Sequence, residues 1–232
     1  MAREKFADIS PEKHHIVTNG FDEADFEGLN AGEIYELNKT KYLNLVNVGT
    51  IYERSAFEHF LKGFAKALAS QKIRSNVRIT FVGDVIPMWR PILGKQPFKD
   101  HVDLVGLKPH RETIRLMMAA DVLLLISFAA DERTRDKIIT GKIFELIRTG
   151  RPIFMIGWKG ECSEIVEKSG LGKFVPWHNV DLISKTIIEY YNREVNDELK
   201  AIPNWDYINR FERKGLTGDL AKFFELAQER CL

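Results

Sequence analysis

Thr140-Gly-Lys-Ile-Phe-Glu-Leu-Ile-Arg-Thr-Gly-Arg-Pro-Ile-Phe-Met-Ile156 carries two successive secondary-structure signals. It reads as a helix start, a short amphipathic helix, a glycine stop and a buried strand. Ile143, Leu146 and Ile147 recur at helical spacing, so that face is expected to meet a core. Gly150 ends the helix and Pro152 prevents its continuation. Ile153-Phe-Met-Ile156 then reads as a short buried strand. At the other end, the Thr140 hydroxyl is placed to cap the first turn. Gly141 lets a ligand come close to the backbone. Glu145 falls off the apolar stripe, near the helix start. A helix start that carries Gly141, Lys142 and a nearby carboxylate suits a ligand with both phosphates and hydroxyls. The phosphates take the N–H groups and the helix dipole, and the carboxylate takes the hydroxyls.

Outward from this unit the pattern repeats. Leu43-Asn-Leu-Val-Asn-Val-Gly49 reads as a strand. Ser55-Ala-Phe-Glu58 has the form of a capping box. Phe57, Phe60, Leu61, Phe64 and Leu68 follow it on one helical face. Val77–Val82 is a strand ending at Gly83, and Val102–Val105 a strand ending at Gly106. A helix near 111–119 leads to Asp121-Val-Leu-Leu-Leu-Ile126, whose unbroken apolar run fits a parallel strand covered on both faces. Lys173–Val175 reads as a short strand. Val180, Ile183, Ile187, Ile188 and Tyr191 mark a helix, and Leu216, Leu220, Phe223, Phe224 and Ala227 a last one. Strands and helices alternate from 43 to 191. This is the pattern of an α/β, doubly wound parallel sheet of Rossmann-like type, with a ligand crevice at the C-terminal ends of its strands.

The remainder bounds the function. The chain has 232 residues, enough for one large domain or one and a half small ones. It is 44% hydrophobic and 29% charged, as soluble globular proteins are. A net charge of +1 shows no basic excess, so nucleic acid is not an expected partner. Cys162 and Cys231 lie far apart and read as reduced thiols. No run reaches transmembrane length, and the N-terminus lacks the apolar core of a signal peptide. His14 and His15 have no partners at metal spacing and read as a solvated strand edge. Ile16 and Val17 read as a short strand, Asn19-Gly20 as a turn, and the acidic stretch 22–40 as a linker. Residues 1–40 thus read as a crossover segment, 41–200 as the domain, and 201–232 as a returning helix. Gly-x-Gly-x-x-Gly and the P-loop are both missing, so dinucleotide and Walker-type readings lose support.

Five segments, in order, resemble the C-terminal, donor-binding half of family 4-type retaining glycosyltransferases of the GT-B fold. They are Val17-Thr-Asn-Gly-Phe-Asp22, Asn47-Val-Gly-Thr-Ile-Tyr52, Asp103–His110 with Ala120–Leu125, Thr140–Glu145 with Thr149–Ile153, and Arg210–Leu220. Thr140–Glu145 with Thr149–Ile153 is the most specific match. The resemblance implies that the domain holds a nucleotide-diphosphate sugar. Glu145 would accept from the ribose hydroxyls. Thr140, Gly141 and Lys142 would stand at the diphosphate, with Gly49 and Thr50 close to it. Gly106, Leu107 and Lys108 would line the base pocket. Growing charge on the leaving diphosphate would be met by N–H groups and cations, with neither a metal nor a cofactor required.

The sequence also departs from that pattern. Many members carry two acids eight positions apart, the first facing the sugar, whereas Lys137 stands eight residues before Glu145. Many place Arg directly after the first-loop glycine; here Thr50 follows Gly49, and Arg54, the nearest base, is assigned to the phosphates. The N-terminal GT-B domain, which would hold the acceptor and the main catalytic groups, is not in this sequence. Partners implied are therefore the nucleotide sugar, that domain in the same or another chain, and a glycan or lipid-linked acceptor. The chain is expected in the cytoplasm, at the inner face of the membrane if the missing domain touches it, and inactive alone. A non-catalytic interaction module and a sugar-nucleotide epimerase half remain as alternatives. Trp158 either flanks the sugar or packs at a hinge. The run 131–137 is either a solvated loop or a donor lid.

Phe223 and Phe224 on the last helix are expected to leave apolar surface where the other domain would dock. The isolated chain should therefore self-associate at high concentration, as light scattering can measure. A clean monomer would mean that this surface is already covered.

Overall fold

The computed structural model describes residues 16–231 apart from 41, 52–53, 71–72, 74–75, 128–132 and 197, with side chains to 228. His14, His15, Tyr52, Asp131 and Glu132 lie outside the described residues. Six strands form one parallel sheet: β1 Leu43–Val48, β2 Val77–Val82, β3 Val102–Gly106, β4 Val122–Ile126, β5 Ile153–Gly157 and β6 Gly172–Pro176. Their order across the sheet is β3-β2-β1-β4-β5-β6, so the winding reverses between β1 and β4. β1 runs in register with β2 from Leu43 opposite Val77 to Val48 opposite Val82. β5 is buried along its whole length, as a central parallel strand covered on both faces must be.

Alternate residues feed two cores. Leu43, Leu45, Ile79, Phe81, Leu124 and Phe154 face one side, and Val46, Val82, Leu123, Ile153 and Met155 the other. The helices, in chain order, are α1 Ala31–Asn38, α2 Arg54–Ala69, α3 Arg90–Leu93, α4 His110–Met118, α5 Lys142–Arg148, α6 Glu161–Lys168, α7 Val180–Val195, α8 Trp205–Ile208 and α9 Arg213–Cys231. α2, α3 and α7 cover the first face. Phe57, Phe60 and Phe64 of α2 are fully buried there, each contributing ~1.5–3 kcal/mol by leaving water. α4, α5 and α6 cover the second face.

Several local expectations change. α2 begins at Arg54, so Ser55 is already helical and its carbonyl accepts from His59 Nδ1 at 2.8 Å. Glu58 pairs forward with Lys62 at 2.8 Å, not back to a cap. Residues 16–20 form no strand; only Phe21 bridges, to Glu212. The stretch read as a linker contains a 3-10 turn, Glu23–Phe26, and α1. Asn30 caps α1 by accepting from the Gly32 and Glu33 N–H groups, while its amide donates to Glu33. α6 was not expected, because only Cys162, Ile165 and Val166 mark its apolar face. On α9, Phe224 is 63% exposed, as expected, but Phe223 is half-buried; Leu226 is a further exposed apolar residue at 54%.

α1 buries no side chain fully and is tied down by polar contacts. The Tyr35 hydroxyl donates to Asp121 Oδ1 at 2.8 Å, and the Asn44 N–H donates to Asp121 Oδ2 at 2.7 Å. The Arg151 guanidinium lies 3.8 Å from the Tyr35 ring centroid and donates to the Ala31 carbonyl at 3.0 Å. Burial pushes the Asp121 carboxyl above its ordinary 3.8, against the hydrogen bonds from Asn44 and Tyr35. A carboxyl raised in the folded state takes up protons on folding. Its favourable contribution is full below the ordinary value and is lost as pH rises through the folded value. Relative to Asp121→Asn, which does not titrate, the wild-type chain should gain stability from about pH 7 toward about pH 4. Urea denaturation at each pH measures this, and a difference that stays flat contradicts it.

Candidate functional site

The strands end on glycines for a steric reason. Gly49, Gly83 and Gly106 close β1, β2 and β3 with φ of 113°, 129° and 76°. Their loops are stitched together: the Gly49 N–H donates to the Val82 carbonyl and the Gly83 N–H to the Gly106 carbonyl, each at 2.8 Å. A Cβ on Gly83 would stand 2.7 Å from the Gly49 carbonyl oxygen. No side chain fits between these two turns. At Gly49 and Gly106, by contrast, nothing lies within 4 Å of a built Cβ, so those backbones are open to a ligand. Thr50 is half-buried beside Gly49. The Ile51 N–H donates to the Asp84 carbonyl at 3.2 Å, which ties the first loop to the second.

The chain leaves β4 at its C-terminal end and enters β5 at the opposite edge. α5 therefore runs back along the sheet, and its first turn stands at the C-terminal ends beside the reversal of winding. In that turn Lys142 Nζ donates to Glu145 Oε2 at 3.1 Å. Glu145 is the more enclosed, with 17% side-chain exposure against 38% for Lys142. One oxygen of the carboxylate takes the ammonium, and a carboxylate has a second to offer. Gly141 is exposed, with open space where a Cβ would be. Thr140 does not cap the helix. Gly141 occupies the cap position, and what Ile143 N–H finds at 3.1 Å is the Thr140 carbonyl. The helix starts one residue too late for the hydroxyl to reach its first turn.

The other expected residues stand on other elements. Leu107 is 81% exposed. Lys108 pairs with Glu112 of α4 at 2.8 Å. Both follow β3, two strands or about 10 Å from β1. Arg54 lines a groove of about 340 Å³ between α2 and α3, with Glu58, Lys62 and Trp89, and no hydrogen bond or ion pair among the described residues joins it to Lys142 or Glu145. The loop 133–137 lies over the end of β5, where the Asp136 carbonyl accepts from the Glu161 N–H at 2.8 Å. Arg135 sits 4.1 Å above the Trp158 ring, and Trp158 meets Trp177 edge-on at 5.5 Å. Sequence reading had no signal for this Arg135–Trp158 contact, which depends on the loop's path. Burial pushes the Cys162 thiol up to about 11, so it stays protonated at neutral pH. Among the described residues no group of His, Cys, Asp and Glu has the geometry to hold a metal. Among them also, no helix is long and apolar enough to cross a membrane.

No protein-family model and no curated protein matches this sequence. Solved structures do match the fold. WaaG, a glycosyltransferase involved in lipopolysaccharide biosynthesis, superposes with a TM-score of 0.60 at 19% identity, over 94% of this chain and 56% of its own. Anabaena HepE, solved in complex with UDP-glucose, gives 0.64 at 18%, over 91% and 57%. The C-terminal domain of a group 1 glycosyl transferase, LpcC from Francisella tularensis, gives 0.58 at 13%, over 82% of this chain and 97% of its own. The chain spans a little over half the length of the first two and matches nearly all of the isolated domain. Its fold is that of the C-terminal half of GT-B glycosyltransferases.

The glycine geometry gives a graded expectation. Gly83→Ala meets both an unfavourable φ and the Gly49 carbonyl, and should cost about 2 kcal/mol or more. Gly106→Ala meets only the φ penalty and should cost nearer ~1 kcal/mol. Urea denaturation of the two variants compares them, and equal losses would contradict the close-packed turns.

Proposed function

We propose that the chain is the donor-binding half of a retaining, hexosyltransferase-type glycosyltransferase. It would move a sugar from a nucleotide-diphosphate sugar to a glycan or lipid-linked acceptor, working in the cytoplasm with an N-terminal domain in the same or another chain. One observation carries the reading: the Lys142–Glu145 pair stands in the first turn of α5, at the strand ends where the winding reverses. In doubly wound sheets that is where ligands bind.

On this reading Glu145 accepts from the ribose hydroxyls. Lys142, held at 3.1 Å from that carboxylate, turns its ammonium to the diphosphate. The N–H groups at the start of α5 and the open backbone of Gly49 receive the phosphate oxygens. Negative charge grows on the diphosphate as the bond to the sugar breaks, and these donors are aimed at it beforehand. Lys108 and Leu107 flank the base. A second reading, a non-catalytic interaction module, draws on Lys137 standing where an acid is expected and on the exposed Phe224 and Leu226.

Titration calorimetry with UDP, GDP and their sugars separates the two. The donor reading predicts micromolar binding by one nucleotide, with affinity falling about tenfold or more in Glu145→Ala as charge-assisted hydrogen bonds are lost. Binding no tighter than millimolar, with no effect of Glu145→Ala, would leave the interaction module.

A further inference from the structure

α5 is seven residues long, and both of its ends are engaged. Lys142 and Glu145 occupy its first turn. Arg148, its last residue, points to a different part of the molecule. Arg148 Nε donates to Glu23 Oε2 at 2.6 Å, and a terminal nitrogen donates to Glu23 Oε1. The guanidinium also lies 4.9 Å from the Phe26 ring, 5.8 Å from Trp205 and 5.9 Å from Phe21. Planar, bidentate and stacked contacts of this kind fix an arginine in direction as well as place.

The residues it holds belong to two segments, around Phe21 and before Arg213, that pair with each other. Phe21 N–H donates to the Phe211 carbonyl at 3.0 Å, and Arg213 N–H donates back to the Phe21 carbonyl at 2.9 Å. Phe144, on α5 itself, packs on Phe211 at 5.1 Å. A helix of seven residues is about 10 Å long and moves as one piece. A tilt at Arg148 therefore displaces Lys142 and Glu145. Glu23, Arg148, Trp205, Asn209 and Glu212 border a hollow of about 560 Å³. Glu23 is exposed at its rim, so Glu23→Arg should fold, and urea stability checks Arg148→Glu at the more enclosed position.

We propose that Arg148 is a positioning residue: its grip on Glu23 and on the Phe21, Phe26 and Trp205 rings sets the angle at which α5 presents Lys142 and Glu145. The segment Phe21–Phe26 thereby sets the nucleotide affinity. By linkage, the nucleotide tightens the pairing of Phe21 with residues 211–213. The inference rests on the donor-site reading for its functional half; the mechanical half concerns α5 alone.

The test uses the full chain, Glu23→Arg, Arg148→Glu and the double charge exchange, with urea stability measured for each. UDP and GDP are titrated by calorimetry, and amide hydrogen exchange is followed with and without nucleotide. Each single variant should weaken binding about fivefold or more, the lower end of ordinary intersite coupling. The double exchange should recover the share carried by the ion pair, and nucleotide should slow exchange at Phe21 and Arg213 in wild type, to a lesser extent in the double, and not in the singles. Single variants that bind like wild type, or a folded double that stays as weak as the singles, overturn the proposal. If wild type takes up neither nucleotide, the donor reading falls and amide exchange in α5 decides. Faster exchange at Glu145 and Leu146 in the singles, restored in the double, supports the clamp; unchanged exchange overturns it.

Discussion

The pairing of β1 with β4 is the contact on which the rest of the molecule depends. It is short: only Leu45 opposite Val122 and Val46 opposite Leu123 form its ladder. Side chains extend it at both ends. At the lower end the Asp121 carboxylate takes the Asn44 N–H, and the Asp121 N–H donates to the Asn44 carbonyl at 3.2 Å. At the upper end the Asn47 amide donates to the Leu124 carbonyl at 2.9 Å. Here a strand pair that joins two oppositely wound halves is held by buried polar groups, where misalignment by one residue would leave Asp121 and Asn47 unpaired at the cost of their desolvation. Register is therefore specified where it matters most for the crevice.

From that pairing the site follows. The connections of β1 and β4 diverge to opposite faces, which opens a gap at their C-terminal ends. The glycine turns keep the β1 side of the gap free of side chains, and α5 brings a cation and a carboxylate to the β4 side. A surface Lys–Glu pair contributes little to stability. The pair is held near a helix start with exposed backbone, and the donor reading proposed above rests on that placement. The same helix reaches Glu23 and Trp205 through Arg148, so α5 is braced by residues far from it in sequence on both sides.

Much of this was legible in the residues. The unbroken apolar runs of β4 and β5, the phenylalanine stripe of α2 and the glycines after β1, β2 and β3 specify the doubly wound sheet locally. Lys142 and Glu145 are neighbours on one helix, so their pairing follows from spacing. What was not legible is tertiary. α1 has no buried residue and is pinned by Asp121 and Arg151, far away in sequence. Arg148 and Glu23 are 125 residues apart, and nothing in either segment announces the other. Thr140 missed its capping role by one residue, within the ordinary uncertainty of helix boundaries. Arg54 has the right charge, but the structure sets it on the α2–α3 groove, so its assignment to the phosphates finds no support in these contacts.

On the donor reading, one ligand spans the glycine turns and the start of α5, and backbone amide chemical-shift mapping with a nucleotide-diphosphate sugar can detect this. Shifts should concentrate at Gly49, Thr50, Gly106, Gly141, Lys142 and Glu145 and spread along α5 to Arg148. Shifts confined to the α2–α3 groove or to the hollow beside Trp205, with those amides unmoved, would contradict it.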